Sequence, residues 1–297
     1  MLRSSAAASL VPYAELLDSL NGLTWPSQVR VRGGDPGSHR SNRLGRSPEF
    51  TEYRAYRPGD DLRRLDWKLL GRTDRLFLRI ADDHAALRTS IVVDASASMR
   101  FPVEGYGKWE HACAIALGLT SVAISDGDAV GISVATAAGE RAIPPRRRRD
   151  VLHDIAELFQ SVKTGGEAAL TGVVERLATS PRLVVITDFL GESERALGAL
   201  RVAAAAGAEV FAVHVVAEAE LDPPQRAFMA SDPERPEFRR AMSEASRATY
   251  LEQFATWRER VAGELHAMNG NYRLTSTSEP VRDVVRRVVL GAAGAAA

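Results

Sequence analysis

Ser90-Ile91-Val92-Val93-Asp94-Ala95-Ser96-Ala97-Ser98 decides the fold. A β-branched run ends on a carboxylate, and two hydroxyls follow at alternate positions. A short apolar run bounded by polar residues reads as a buried strand. Further runs of this kind recur at 129–134, 183–186 and 210–216, with a last short one at 272–274. Helical patterns lie between them, at 109–124, from Asp150 through Phe159, at 170–177 and at 192–205. Beyond the Pro-rich stretch 221–236, Tyr250, Phe254, Trp257, Val261, Leu265 and Met268 form one helical stripe, read as helix core. Pro280 opens a final helix with Val281, Val284, Val285, Val288 and Val289 facing inward. Repeated β–α alternation predicts an α/β fold, a mostly parallel sheet covered by helices on both faces.

In such a sheet, ligand sites gather beyond the carboxyl ends of the strands. A loop leaving 90–93 there aims alternate side chains at one point. Asp94, Ser96 and Ser98 would present a carboxylate and two hydroxyls, hard oxygen ligands for Mg²⁺ or Ca²⁺. Asp188 ends the strand of Ile186-Thr187-Asp188 and reaches the same edge. The six histidines show no metal spacing with one another, which argues against zinc. Ser96 and Ser98 have no G-x-S-x-G context, and the chain has no Walker-type phosphate loop. Cys113 lies in an Ala-rich helical pattern and reads as a small buried side chain.

Upstream, Pro12 followed by Ala-Glu-Leu-Leu-Asp-Ser-Leu and Asn21-Gly22 reads as a short helix with start and stop signals. Residues 27–80 are different in kind. They hold 13 Lys and Arg against 7 Asp and Glu, are broken by turn signals, and carry Phe50, Tyr53, Tyr56, Trp67 and Phe77. Short strands and irregular structure anchored by large apolar side chains are expected there. Arg40, Arg43, Arg46, Arg54, Arg57, Arg63, Arg64, Arg72, Arg75 and Arg79 would suit phosphate. Glu49, Glu52, Asp60, Asp61, Asp66 and Asp74 are interleaved with them, so internal salt bridges are favoured over a nucleic-acid track. The run Arg146–Arg149 reads as a solvated loop.

The chain of 297 residues has 38 basic and 38 acidic side chains, 45% hydrophobic and 26% charged residues, the profile of a globular protein. One cysteine excludes an internal disulfide and suits a reducing compartment. No stretch approaches the roughly 20 apolar residues of a membrane span, and the N-terminal run is too short and broken for a secretory signal. A cytoplasmic location is expected. The zero total charge is a sum of unlike parts, since the excess of 27–80 is balanced by an acidic remainder, and attraction between them is expected.

The loop Asp94-Ala-Ser-Ala-Ser98 resembles the metal-ion-dependent adhesion site of von Willebrand factor A-type domains. Around it, Arg46-Ser-Pro-Glu-Phe-Thr-Glu-Tyr53, Tyr56-Arg-Pro-Gly-Asp-Asp61, Arg64-Leu-Asp-Trp-Lys68, Arg72-Thr-Asp-Arg-Leu76, Lys108-Trp-Glu110 and Thr277-Ser-Glu-Pro280 resemble the signature of the bacterial DUF-fifty-eight family. The resemblance implies a von Willebrand factor A-like fold. It also implies a partner, a MoxR-type AAA+ ATPase or its client protein, and no established enzymatic reaction. Residue by residue, Asp94, Ser96, Ser98 and Asp188 match the metal positions. The usual Gly-Gly-(x)-Thr-Asp-Leu segment is here Gly165-Gly-Glu-Ala-Ala-Leu170, so the threonine ligand has become Ala168. The resemblance therefore implies Mg²⁺ or another divalent cation held weakly or not at all, with Glu167 or Thr171 as candidates to compensate.

The expected organisation is an N-terminal helix in 1–26, an arginine-rich β-containing segment in 27–85 packed on the main domain, a von Willebrand factor A-like domain in 86–290 and a disordered tail in 291–297. The expected function is a non-enzymatic protein-binding adaptor or co-chaperone. Two other classes stay open from the residues. A Mg²⁺-dependent phosphoryl-transfer or hydrolytic enzyme would use Asp94 and Asp188, although no lysine or third carboxylate is evident beside them. A nucleic-acid-binding module would use 27–80.

Overall fold

The computed structural model describes residues 13–27, 36–44, 52–57, 65–80, 82–191, 193–224, 228–234 and 237–294. The chain divides into two compact units, one of Met1–Gln28 with Arg88–Ala297 and one of Val29–Leu87. Helix α1 (Ala14–Ser19) opens the first. The Val29–Leu87 unit contains β1 (Pro36–Leu44), β2 (Glu52–Ala55), α2 (Trp67–Thr73), β3 (Phe77–Ile80) and β4 (Asp82–Ala85). Here β1 pairs antiparallel with β4, and β2 with β3. Asp66 caps α2, its side chain accepting from the backbone of Lys68 and Leu69. Leu65 and Leu78 are buried, whereas Trp67, expected as an apolar anchor, is 66% exposed. Arg46, Arg63 and Arg64 lie outside the described residues, as do the side chains of Arg40, Arg43, Arg54 and Arg79, so seven of the ten arginines of the expected ion-pair network fall there.

The larger unit runs β5 (Arg88–Asp94), α3 (Lys108–Ser125), β6 (Ala129–Thr136), β7 (Gly139–Arg146), α4 (Val151–Ser161), α5 (Leu170–Arg176), β8 (Arg182–Thr187), α6 (Ser193–Ala205), β9 (Glu209–Val216) and α7 (Glu218–Leu221). It continues with β10 (Phe228–Ser231), β11 (Arg239–Met242), α8 (Glu244–Ala267), β12 (Asn271–Ser276) and α9 (Val281–Gly294). Six strands form one sheet in the order β12-β9-β8-β5-β6-β7. Every pairing is parallel except that of β6 with β7. Counted within the sheet, the order is 3-2-1-4-5-6, with the antiparallel strand at one edge. This is the mostly parallel, von Willebrand factor A-like arrangement that the alternation and the resemblance imply.

Both faces are covered, so the central strands are buried throughout rather than alternately. Ile91, Val93, Ile132, Val134, Val184 and Ile186 pack under α3, α4 and α9. Their neighbours Val92, Leu183, Val185 and Ala212 pack under α5, α6 and α8. Two assignments differ from the sequence reading. Gly139–Arg146 is a strand, largely exposed, at the sheet edge where Pro144 and Pro145 are tolerated. Helix α9 continues through Gly294, into the stretch assigned to the tail, and 295–297 lie outside the described residues.

The segment after α1 is fastened across the amino end of the sheet. Trp25 is fully buried, its ring 4.3 Å from the Arg182 guanidinium carbon and 5.1 Å from the Phe211 ring. Arg182, also fully buried, donates to Glu209 at 3.0 Å and to the Pro26 carbonyl at 2.9 Å, with Asp128 at 3.6 Å.

Candidate functional site

The order of strand addition reverses between β5 and β8, parallel neighbours in the sheet although β6 and β7 intervene in sequence. Beyond their carboxyl ends lies the crevice where such sheets place ligands. Asp94 ends β5 and is 3% exposed. Its Oδ1 accepts from the Ser96 backbone N–H at 2.8 Å, and its Oδ2 from the Thr187 hydroxyl at 2.6 Å. Ser96 and Ser98 are buried with their hydroxyl oxygens 3.0 Å apart. Ser98 starts the 3₁₀ turn Ser98–Arg100, which folds the loop back so that alternate side chains converge.

The loop ahead of α5 is stitched to this turn. Gly165 N–H donates to Ala95 O at 3.0 Å, and Ala97 N–H to Gly166 O at 2.9 Å. Gly166 has φ +62°, a conformation that L side chains rarely adopt. The pairing brings Ala168 into a small pocket with Asp94, Ser96, Glu167, Leu170, Phe189, Leu190, Ser193, Ala196 and Glu234. A methyl group thus lines the pocket at the position where the resemblance puts a threonine hydroxyl. Glu167 lines the pocket and Thr171 is not among its lining residues. Ser98 lines the wider opening beside it, with Glu167, Gly191, Asp232 and Glu234.

Asp188 is turned elsewhere. Its Oδ1 accepts from Leu190 N–H at 3.0 Å, and its Oδ2 from the Lys108 ammonium at 2.7 Å. Lys108 also donates to Glu220 at 2.7 Å. Burial opposes the Lys108 charge, but Asp188 and Glu220 together outweigh it and hold its pKa above the ordinary lysine value. Burial lifts Glu220 above the usual carboxylate range, against the pull of Lys108. A lysine therefore does stand beside the second aspartate, contrary to the sequence expectation. Only the fold shows it, because the first residue of α3 has no sequence proximity to β8.

Asp94 differs from Asp188 in one decisive respect. Among the described residues, no Lys or Arg lies within ion-pair distance of it. Burial first, and then the Asp188 charge, raise its pKa to about 6, against the hydrogen bonds from Thr187 and Ser96. Glu234 is likewise raised to about 7, by burial and then by Asp188, Asp232, Asp94 and Glu167. Carboxylates predominate here: Asp94, Glu167, Glu194, Asp232 and Glu234 line the pocket and its opening, with Arg195 the one basic side chain among the described residues of that lining. Phe189, buried with φ +54°, sits in the left-handed region that aromatic side chains rarely adopt, and it packs on His214 with ring centroids 5.4 Å apart.

The remaining motif residues have structural work. Trp109 packs edge-on to Phe159 at 5.8 Å, and Glu110 accepts from Gly107 N–H at 3.0 Å to cap α3. Glu279 accepts from Thr275 at 3.1 Å and pairs with Arg287. Cys113 is buried, and burial pushes its thiol well up. Among the described residues, no three His, Cys, Asp or Glu side chains are grouped to hold a metal. A cation at Asp94 would therefore depend on the serine hydroxyls. Among the same residues, no helix is long and apolar enough to cross a membrane.

A family model described as "Protein of unknown function DUF58" matches residues 52–260. "Uncharacterized protein Rv1480" of Mycobacterium tuberculosis is 29% identical over 219 residues, spanning 71% of this chain and 68% of its own length. "Uncharacterized protein Mb1516" of Mycobacterium bovis gives the same values, 29% over 219 residues. Among solved structures, the conserved hypothetical protein BatB from Bacteroides thetaiotaomicron aligns with TM-score 0.47 at 16% identity, over 70% of this chain and 100% of that chain. The SpRpn10 VWA domain aligns with TM-score 0.40 at 8% identity, over 68% of this chain and 95% of that chain.

Proposed function

Since the chain belongs to the DUF58 family, we propose that it is a non-catalytic protein-binding module that recognises a partner's acidic side chain through a divalent cation. The observation that carries this is the state of Asp94: a buried carboxylate, short of a cation among the described residues, beside two inward hydroxyls. The donor set fits Mg²⁺, a hard ion that keeps several waters and needs few protein ligands. Asp94, Ser96 and Ser98 would hold it, and Asp188 would act at a remove, since its Oδ2 is engaged by Lys108. The Ala168 methyl leaves one position more to water, which makes the site weak alone and stronger once a partner's carboxylate arrives. Bound there, the cation would supply positive charge to an incoming Asp or Glu.

The partner in this reading is a MoxR-type AAA+ ATPase or its client, with the chain acting as adaptor or co-chaperone. Catalysis is not part of it. Lys108, the group that would revive a phosphoryl-transfer reading, is fully buried between two carboxylates and does not line the pocket.

A pull-down from a bacterial lysate with the full chain tests this. Retention of an AAA+ ATPase in Mg²⁺, its loss in EDTA and its loss in Asp94→Ala are expected. Retention unchanged by both would remove the cation from the reading and leave an adaptor of another kind. No ATPase retained under any condition would sink the adaptor role.

A further inference from the structure

The β10–β11 hairpin, in register from Phe228 opposite Met242 to Ser231 opposite Arg239, ends beside the pocket. At its tip, Asp232 N–H donates to Phe238 O at 3.1 Å, and Glu234 N–H donates to Asp232 Oδ1 at 2.9 Å. This turn sets the Glu234 carboxylate on Gly191, in the loop that follows Asp188. A methyl built on Gly191 would stand 3.0 Å from one Glu234 carboxylate oxygen and 3.4 Å from the other. Gly191 has φ +74°, so the bare backbone that admits the carboxylate is also one that only glycine adopts without strain. Glu234 thereby lines the same pocket as Asp94, Ser96 and Ala168.

The placement is electrostatically costly as it stands. Among the described residues, no N–H or O–H donates to the Glu234 carboxylate and no Lys or Arg pairs with it. Asp94, Asp188, Asp232 and Glu167 all act on it with like charge. Carboxylates gathered on the wall of one pocket repel one another unless a cation is bound among them. Asp94 and Glu234, both without a counter-ion among the described residues, are on the wall of one pocket, with Glu167 beside them.

We infer that Glu234 supplies from within the chain the carboxylate that a partner would bring, standing in for the ligand lost at Ala168. This deepens the proposed function and rests on its cation at Asp94. The resting site is then self-liganded. Because the hairpin is tethered, its carboxylate competes at an effective concentration that a free acidic peptide must exceed. A partner gains the cation only by displacing the hairpin tip.

The test is Mn²⁺ binding to the full chain, read from the electron paramagnetic resonance of free aqueous Mn²⁺. Glu234→Gln, which keeps the shape and removes the charge, is expected to weaken binding at least about tenfold, since even outer partners of a metal site are worth that much. Glu237→Gln, on the same hairpin, is expected to leave it unchanged, and Asp94→Asn to abolish it. Circular dichroism of each variant verifies the fold. If Asp94→Asn abolishes binding and Glu234→Gln does not weaken it, the hairpin inference falls and the cation reading stands. Equal weakening by Glu234→Gln and Glu237→Gln would reduce the effect to general charge and also overturn it. Absence of Mn²⁺ binding by the wild-type chain overturns the hairpin inference, which requires a self-liganded site, and leaves the partner-dependent cation to the pull-down.

Discussion

Two buried groups show what single residues do here. Lys108 balances Asp188 and Glu220; Lys108 and Asp188 are buried, and the Glu220 side chain is 15% exposed. Removing one member of such a set leaves an uncompensated buried charge, so Lys108→Met should cost about 3–5 kcal/mol, read from urea denaturation at neutral pH. A loss below about 1 kcal/mol would mean that water reaches the pair. His111 is fully buried, between the Tyr106 hydroxyl at 3.3 Å and the Thr275 hydroxyl at 3.2 Å, and burial lowers its pKa to about 4. Unfolded, the ring titrates near 6.5, so between these values protons bind the unfolded chain preferentially. Its contribution is whole above pH 6.5, and acidification to pH 4 removes roughly 3 kcal/mol of it at most. His214, lowered to about 3 by burial, acts in the same direction. Asp94, raised to about 6, acts oppositely, its charge costing stability above that pH. The urea midpoint of His111→Gln should therefore fall less between pH 7 and pH 4.5 than that of the wild type, and an equal fall would refute the assignment.

Helix α3 is buried over most of its length, with Gly118 at its tightest approach. A methyl added there would stand 2.8 Å from Val285 Cγ2 on α9 and 3.1 Å from Leu20 Cδ1. Gly118→Ala improves helix propensity yet should destabilise by about 1–3 kcal/mol through overpacking, measurable by thermal denaturation. A stabilised variant would show that α9 shifts freely. The elements also explain what could be read in advance. Strands such as 182–187 and 209–216 were legible because burial on both faces makes their residues continuously apolar. The edge strand β7, Gly-Glu-Arg-Ala-Ile-Pro-Pro-Arg, carries neither apolar run nor clean alternation, since it is exposed and its pairing slips between Val130 and Ile132. Asp94, Ser96 and Ser98 were legible because three consecutive alternate positions share one loop. Lys108 and Glu234 were not: the first reaches Asp188 from 80 residues earlier in the chain, and the second lies in a stretch whose prolines suggested only a connection. The fold places them by contacts between elements, which have no local signature.

At the scale of the molecule, the larger unit is discontinuous in sequence, since Met1–Gln28 belongs with Arg88–Ala297. Trp25 and Pro26 hold Arg182, the first residue of β8, and Thr89 of β5 stands opposite Arg182 in the sheet. The chain therefore leaves this unit and re-enters it at one edge, the amino end, while Asp94 and Glu234 lie at the carboxyl end. Replacing 29–87 by a short Gly/Ser linker should leave one cooperative thermal transition and unchanged Mn²⁺ binding. Loss of either would show that the larger unit is not self-sufficient. Trp25 has a meaning beyond packing in this light. By closing the gap between exit and return, it turns residues 29–87 into an insertion whose attachment points lie on one body, so a change in the length of that segment should leave the register of the main sheet untouched.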